Sequence, residues 1–166
     1  RKKDINKIPD FDVLSEEPKI TANILKDKLE ENGYKDISIV KKPGVGEVIA
    51  EHLELKVGRE TILFIYKPMA CHSYNVLKLN GKKLRIATID TMLSFYLAFL
   101  FVDRDYYMKN RIICMCEYLF KAQKRNKLKQ KGLLKRFSID CYGEQITIQR
   151  MRAEKTEMFN KLKNKR

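Results

Sequence analysis

The chain has 166 residues, 44% of them apolar, with 7 Gly and 4 Pro, which allows a sizeable core and excludes an intrinsically disordered chain. Its formal charge of +14 is lopsided: residues 1–60 hold 12 Lys/Arg against 13 Asp/Glu, and residues 61–166 hold 23 against 8. An anionic partner meeting the second half is expected, nucleic acid before an acidic membrane surface, because neutralised phosphates release counterions.

In chain order, "IPDFDVL" at 8–14 alternates loosely and reads as a strand. "SEEP" at 15–18 then supplies a cap, acids for the helix dipole and a proline suited to a first turn. A helix over about 18–32 follows, with Ile20, Ile24, Leu25 and Leu29 at helical spacing and Gly33 as its stop. Short strands are predicted at 36–42, 47–57 and 60–67, joined by Pro43-Gly44-Val45-Gly46 and by a hairpin turn at Gly58-Arg59. Residues 68–86 read as a seam. Beyond it, "ATIDTMLSFYLAFLFVD" at 87–103 is apolar nearly all round and predicts a buried helix begun by Thr88 and Asp90. A helix over about 105–127 is expected to bury Ile112, Ile113, Cys116, Leu119 and Phe120, and a third runs over about 146–163. The fold class expected is α+β: a mixed sheet with a helix in residues 1–80, then a mainly helical basic region in 81–166.

The longest apolar stretch, residues 92–102, falls far short of the ~20 residues of a membrane span. "RKKDINK" opens the chain with no apolar run after it, so no signal peptide is expected, and the start in mid-pattern fits a fragment of a longer chain. Cys71, Cys114, Cys116 and Cys141 have no C-x-x-C spacing, and His52 and His72 are the chain's two histidines. Reduced, mostly buried thiols in a cytosolic setting are expected rather than a zinc site.

Asp10 and Asp12 sit one residue apart on the first strand, so their carboxylates share a face. Two acids so placed repel unless a cation lies between them. A hard divalent ion suits that gap, because it takes one or two carboxylates plus substrate phosphates and polarises an attacking hydroxyl. The plainer alternative is a pair of surface acids near a helix start. Residues 121–136 carry eight basic residues and no acid, and Lys124, Arg125, Lys127, Lys131, Lys135 and Arg136 are candidates for RNA or phosphate contacts. About half of such a run is ordinarily a solvated helix face; "GLLKRF" at 132–137 differs, since Gly132 breaks the helix and an apolar pair must dock, holding Lys135 and Arg136. Tyr74, Tyr106, Tyr107 and Tyr142 could stack a base, although aromatic residues at such spacing are more often core.

The order of strand with D-x-D, Ser three residues on, helix, Gly-Tyr turn and hairpin is that of a nucleotidyltransferase palm. The phrases "PDFDVLSEEP", "YKPMACHSYN", "IATIDTMLSFYLAFL", "QKGLLKRFSIDCYG" and "MRAEK" resemble the catalytic subunit of the poly(A) polymerases of nucleocytoplasmic large DNA viruses, especially the mimivirus-like group. The resemblance runs from about residue 8 to 160. It implies an enzyme that adds adenylate from ATP to the 3′ end of RNA in viral mRNA polyadenylation. Asp10 and Asp12 would hold two ions, Mg²⁺ or Mn²⁺, one at the RNA 3′ hydroxyl and one on the ATP phosphates. The family's Gly-Ser or Gly-Gly triphosphate turn would lie ahead of residue 1. Its third acid would fall near Phe64, where this chain has none; Glu51 and Glu54 on the neighbouring strand are the alternatives, and hairpin register decides between them. "CHSYN" at 71–75 would lie beside the nucleotide, with Ser73 and Asn75 as hydrogen-bond donors; His72 as a general base is not needed in metal catalysis. The resemblance also implies a homodimer or a second polymerase subunit as partner, no membrane, and a place in the virion and the viral factory of the host cytoplasm. Two other readings stand beside it: a non-catalytic RNA-binding subunit of the same fold, and a plain basic binding module.

Overall fold

A computed structural model describes residues 10–102, 104, 107–126 and 134–164. The described elements run β1 (Phe11–Leu14), α1 (Pro18–Glu31), β2 (Ile37–Lys42), β3 (His52–Val57), β4 (Glu60–Tyr66), β5 (His72–Leu79), β6 (Lys82–Ala87), α2 (Ile89–Val102), α3 (Lys109–Asn126), β7 (Cys141–Tyr142) and α4 (Ile148–Lys163). The expected α+β class holds: a mixed four-stranded sheet in the order β1-β4-β3-β2, with β1 parallel to β4 and the other pairs antiparallel. A second, antiparallel sheet has the order β6-β5-β7.

Alternation along the strands gives the first sheet two different faces. Leu53, Leu55, Leu63 and Ile65 point to one, where they meet Ala22 of α1 with Val13, Leu25 and Leu29 packed around them. Tyr66, Phe64 and Leu14 point to the other, where Phe99 of α2 and Ile112 of α3 cover them. Helix α1 ends as Gly33 predicts. With φ +86 at Gly33, its N–H reaches Glu30 O at 2.9 Å and the Tyr34 N–H reaches Leu29 O at 3.0 Å, a Schellman pair.

Several local expectations need correction. Ser15 does not cap α1 directly; Glu17 is the cap residue and offers no side-chain bond, while Ser15 Oγ accepts from the Glu17 N–H and pairs with Thr21. Ile20 and Ile24 face outward, because the stripe that meets the sheet is Ala22, Leu25 and Leu29. On α3 the buried stripe is Ile112 and Leu119, which turns Ile113 and Phe120 to the surface; Leu97 and Phe101 of the apolar α2 are likewise exposed. Strand 47–57 begins at His52, and residues 72–86, read from the sequence as part of a seam, form the β5–β6 hairpin together with Ala87, expected at the opening of the next helix. Its signal was Asn80-Gly81: both have positive φ, 49° and 76°, as a two-residue type I′ turn requires.

The expectation of reduced thiols fails for one pair. Cys71 and Cys141 form a disulfide across 70 residues, with Cα atoms 5.3 Å apart, because β7 lies on β5 with Ser73 opposite Cys141. Gly143 seats this segment: at φ +108, a Cβ there would come within 2.8 Å of Pro68 Cβ. Cys114 and Cys116 are free thiols. No described helix is long and apolar enough to cross a membrane.

Candidate active site

Register answers the question the hairpin left open. Asp12 lies beside Phe64 in the parallel pair, and Phe64 lies beside Glu54 in the antiparallel one. The three side chains therefore form one row on one face, with Asp12 and Glu54 two strands, about 10 Å, apart at the backbone. Glu51 is three residues from Glu54, hence on the other side, where it pairs with Lys41 at 2.7 Å on the surface.

Asp10, Asp12 and Glu54 line one cleft of about 360 Å³, roofed by Tyr96 and Phe99 of α2 and by Arg111 and Met115 of α3. Arg111 Nη2 lies 3.4 Å from Asp10 Oδ1. Asp12 opens to solvent at the cleft mouth, yet the protein packed round its carboxyl and the charge of Asp10 push its pKa up to about 7, against the opposing effects of a Tyr66 hydrogen bond and of Arg111. Burial, followed by the charge of Asp12, also raises the Tyr96 hydroxyl, which stays protonated. Glu54 behaves in the opposite way. Burial alone would raise it, but hydrogen bonds from Thr61 and Lys42 outweigh that and hold the carboxyl below its usual range; Lys42 Nζ is 3.0 Å from Oε2. The cleft thus presents one carboxylate pair under mutual repulsion and one acid already matched to a lysine. Among the described residues, no three His, Cys, Asp or Glu side chains gather closely enough to hold an ion by themselves.

Ser73 lies in a second cavity beside Asp12, but its hydroxyl is engaged with Thr88 at 2.7 Å and Thr91 at 3.2 Å, joining β5 to the start of α2. Asn75 is buried and lines neither cavity. Lys124 and Arg125 are exposed in the last turn of α3, away from the cleft lining. Lys127, Lys131, Gly132 and Tyr106 lie outside the described residues. Lys135 and Arg136 are held through backbone, their carbonyls accepting the Ile89 and Asp90 N–H groups at 2.8 and 3.1 Å, and Arg136 also faces the Asp90 carboxylate at 3.4 Å; Leu133 of the apolar pair expected to dock lies outside the described residues. Tyr107 stacks on Phe99 with ring centres 4.7 Å apart. Sequence reasoning did not single out Arg111, Tyr66, Tyr96 or Lys42. Arg111 carried a faint signal, a cation followed at once by the apolar Ile112 on an amphipathic helix; the others read as core or surface.

Comparison with known proteins bears on the fold. No family model and no curated protein matches the chain. Among solved structures, the Megavirus polyadenylate synthase superposes with a TM-score of 0.58 at 17% identity, over 92% of this chain and 32% of that one. The chain therefore spans about a third of that protein's length. Its α+β fold is similar to part of that synthase.

Proposed function

We propose that this chain is the carboxylate-bearing part of a nucleotidyltransferase that adds adenylate from ATP to the 3′ end of RNA. The observation that carries the proposal is the Asp10 and Asp12 pair on one strand face, at the mouth of a cleft lined by Lys42 and Arg111, within a fold similar to part of a viral polyadenylate synthase. In the transfer, the RNA 3′ oxygen bonds to the α-phosphorus of ATP, the bond from that phosphorus to the α,β-bridging oxygen breaks, pyrophosphate leaves, and the hydroxyl proton passes to solvent water.

The donor set at the pair fits a hard divalent ion: burial first and the charge of Asp10 second raise Asp12, and a cation between the two carboxylates offsets both by compensating the negative charge. Asp10 and Asp12 would hold Mg²⁺ or Mn²⁺, with phosphate and water completing its ligands and Glu54 in reserve behind Lys42. When bound, the ion polarises the attacking hydroxyl and neutralises charge on the phosphates. Arg111 orients Asp10, Tyr66 hydrogen-bonds to Asp12, and Tyr96 places its hydroxyl near Asp12. In the complete protein, Asp10→Asn with Asp12→Asn is expected to lower ATP-dependent extension of an RNA primer by at least about 10³-fold while RNA retention persists; undiminished extension ends the proposal.

A second reading, a non-catalytic RNA-binding member of the same fold, draws on Phe64 standing between Asp12 and Glu54 and on the Lys42 and Thr61 contacts of Glu54. Any primer product that depends on the aspartate pair rules it out.

A further inference from the structure

Asp12 belongs to two cavities. Besides the cleft it shares with Asp10, it lines a second of about 310 Å³ at the open edge of β1, together with Ser73, Tyr74, Arg85 and Tyr142. That volume lies at the small end of ligand sites. The Arg85 guanidinium sits over the Tyr74 ring, 5.2 Å from its centre. The Tyr142 hydroxyl accepts the Glu16 N–H at 3.0 Å, which leaves its own proton to donate.

The cavity continues onto the β5–β6 hairpin. Residues directly opposite in an antiparallel pair share a face, so the pairs Tyr74 with Ala87, Val76 with Arg85 and Lys78 with Lys83 stand on one side. From the ring in the cavity, this side runs over exposed Val76 and Arg85 to exposed Lys78 and Lys83, about 13 Å along the strand. Between His72 and Ala87 the sequence has no acid. Lys78 directly faces Lys83, a like-charge pair that costs stability unless an anion lies across it.

We infer that this hairpin face is the platform for the single-stranded RNA that receives adenylate, with the 3′-terminal nucleotide in the cavity beside Asp12 and the preceding phosphates on Lys83 and Lys78. The inference rests on the adenylyl-transfer reading for the identity of the strand. A guanidinium over an aromatic ring offers a flat surface on which any base stacks, and cations at strand spacing follow a phosphate backbone without reading sequence. Two cavities that share one carboxylate bring two nucleotides to it from different sides, as transfer between them requires.

The test uses the complete protein and labelled oligoadenylate, with affinity measured by anisotropy over a range of KCl. Lys78→Gln with Lys83→Gln is expected to raise Kd about tenfold and to reduce the slope of log Kd against log salt by roughly 1.4, two contacts' worth for a single strand. Arg85→Gln weakens oligoadenylate more than duplex RNA of the same length, while ATP binding and Tm stay as in the parent. Unchanged Kd and slope, equal loss on duplex, or loss of ATP binding overturns the inference. None of these measurements needs catalysis. Extension that survives loss of Asp10 and Asp12 would remove the transfer reading alone, whereas aspartate-dependent extension with unaltered RNA affinity in the lysine variant would remove the platform alone.

Discussion

The two faces of the four-stranded sheet are made by the same strands and could hardly differ more. Towards α1, Leu53, Leu55, Leu63 and Ile65 are buried against Ala22, with the mutually bonded Ser15 and Thr21 hydroxyls beside them. Towards α2 and α3, the same strands present Asp12, Glu54, His52 and a chain of aromatic rings, among them Tyr66 stacked on His52 at 4.5 Å. Because side chains alternate with period two, one sheet separates stability from chemistry without using different segments. The first face buries apolar surface at no electrostatic cost. The second keeps a raised carboxyl and a buried imidazole, both of which weaken the fold where they would be charged.

This contrast can be broken most forcefully from the apolar side. Leu55→Ala should cost about 2–5 kcal/mol in denaturant unfolding, because Leu55 is 1% exposed; a loss below about 1 kcal/mol would mean that the face against α1 does not carry the stability. Opening the Cys71–Cys141 bond comes next. Closing a 70-residue loop is worth about 2–4 kcal/mol, and the segment it pins also supplies Tyr142 and the carbonyls that accept from the first turn of α2. Cys141→Ser should therefore lower Tm and increase hydrogen exchange at Ile89 and Asp90; protection there that matches the parent would show the strap holding without the bond.

Smaller effects sharpen the polar side, and their signs oppose. Asp12 binds its proton more tightly folded than unfolded, so its contribution is full below its ordinary value of 3.8 and is lost as pH rises through about 7. Asp12→Asn should raise Tm by a few degrees at most at pH 8, after discount for screening at an accessible site, by less at pH 5, and by nothing below 3.8. Mg²⁺ should stabilise the parent more at pH 8 than at pH 6, since the ion competes with that proton, and the variant should lose the difference. Stabilisation by Mg²⁺ that survives in the variant would place the ion elsewhere. His52 and His72 are lowered by burial, so they favour the fold above 6.5 and destabilise it as pH falls below 6.5. In the Asp12→Asn background, Tm should decline on acidification below that point; a flat profile would contradict the buried, neutral imidazoles.

Local signals were legible where one residue fixes a backbone state. Gly33 ended α1, Gly58-Arg59 joined β3 to β4, and Thr88 began α2, its hydroxyl accepting the Thr91 N–H at 3.3 Å. The aspartate pair was legible because a two-residue spacing on a strand needs no partner to put both groups on one face. What was missed depended on partners distant in sequence. The β5–β6 hairpin was polar enough to pass for a seam, and the outward stripe of α3, with Ile113 and Phe120, could not be told from the inward one while the packing direction was unknown.

The sequence by itself determined the α+β class, the helix stops, the basic second half and the two neighbouring aspartates. Only the tertiary structure decided that Glu54 rather than Glu51 faces the aspartates, that Arg111 reaches Asp10 from 101 residues away, and that Cys71 meets Cys141. The reason is that propensity, turn chemistry and periodicity act within a few residues, whereas strand register and helix docking are set by the fit of surfaces far apart in the chain, and a shift of one residue in register sends a side chain to the opposite face.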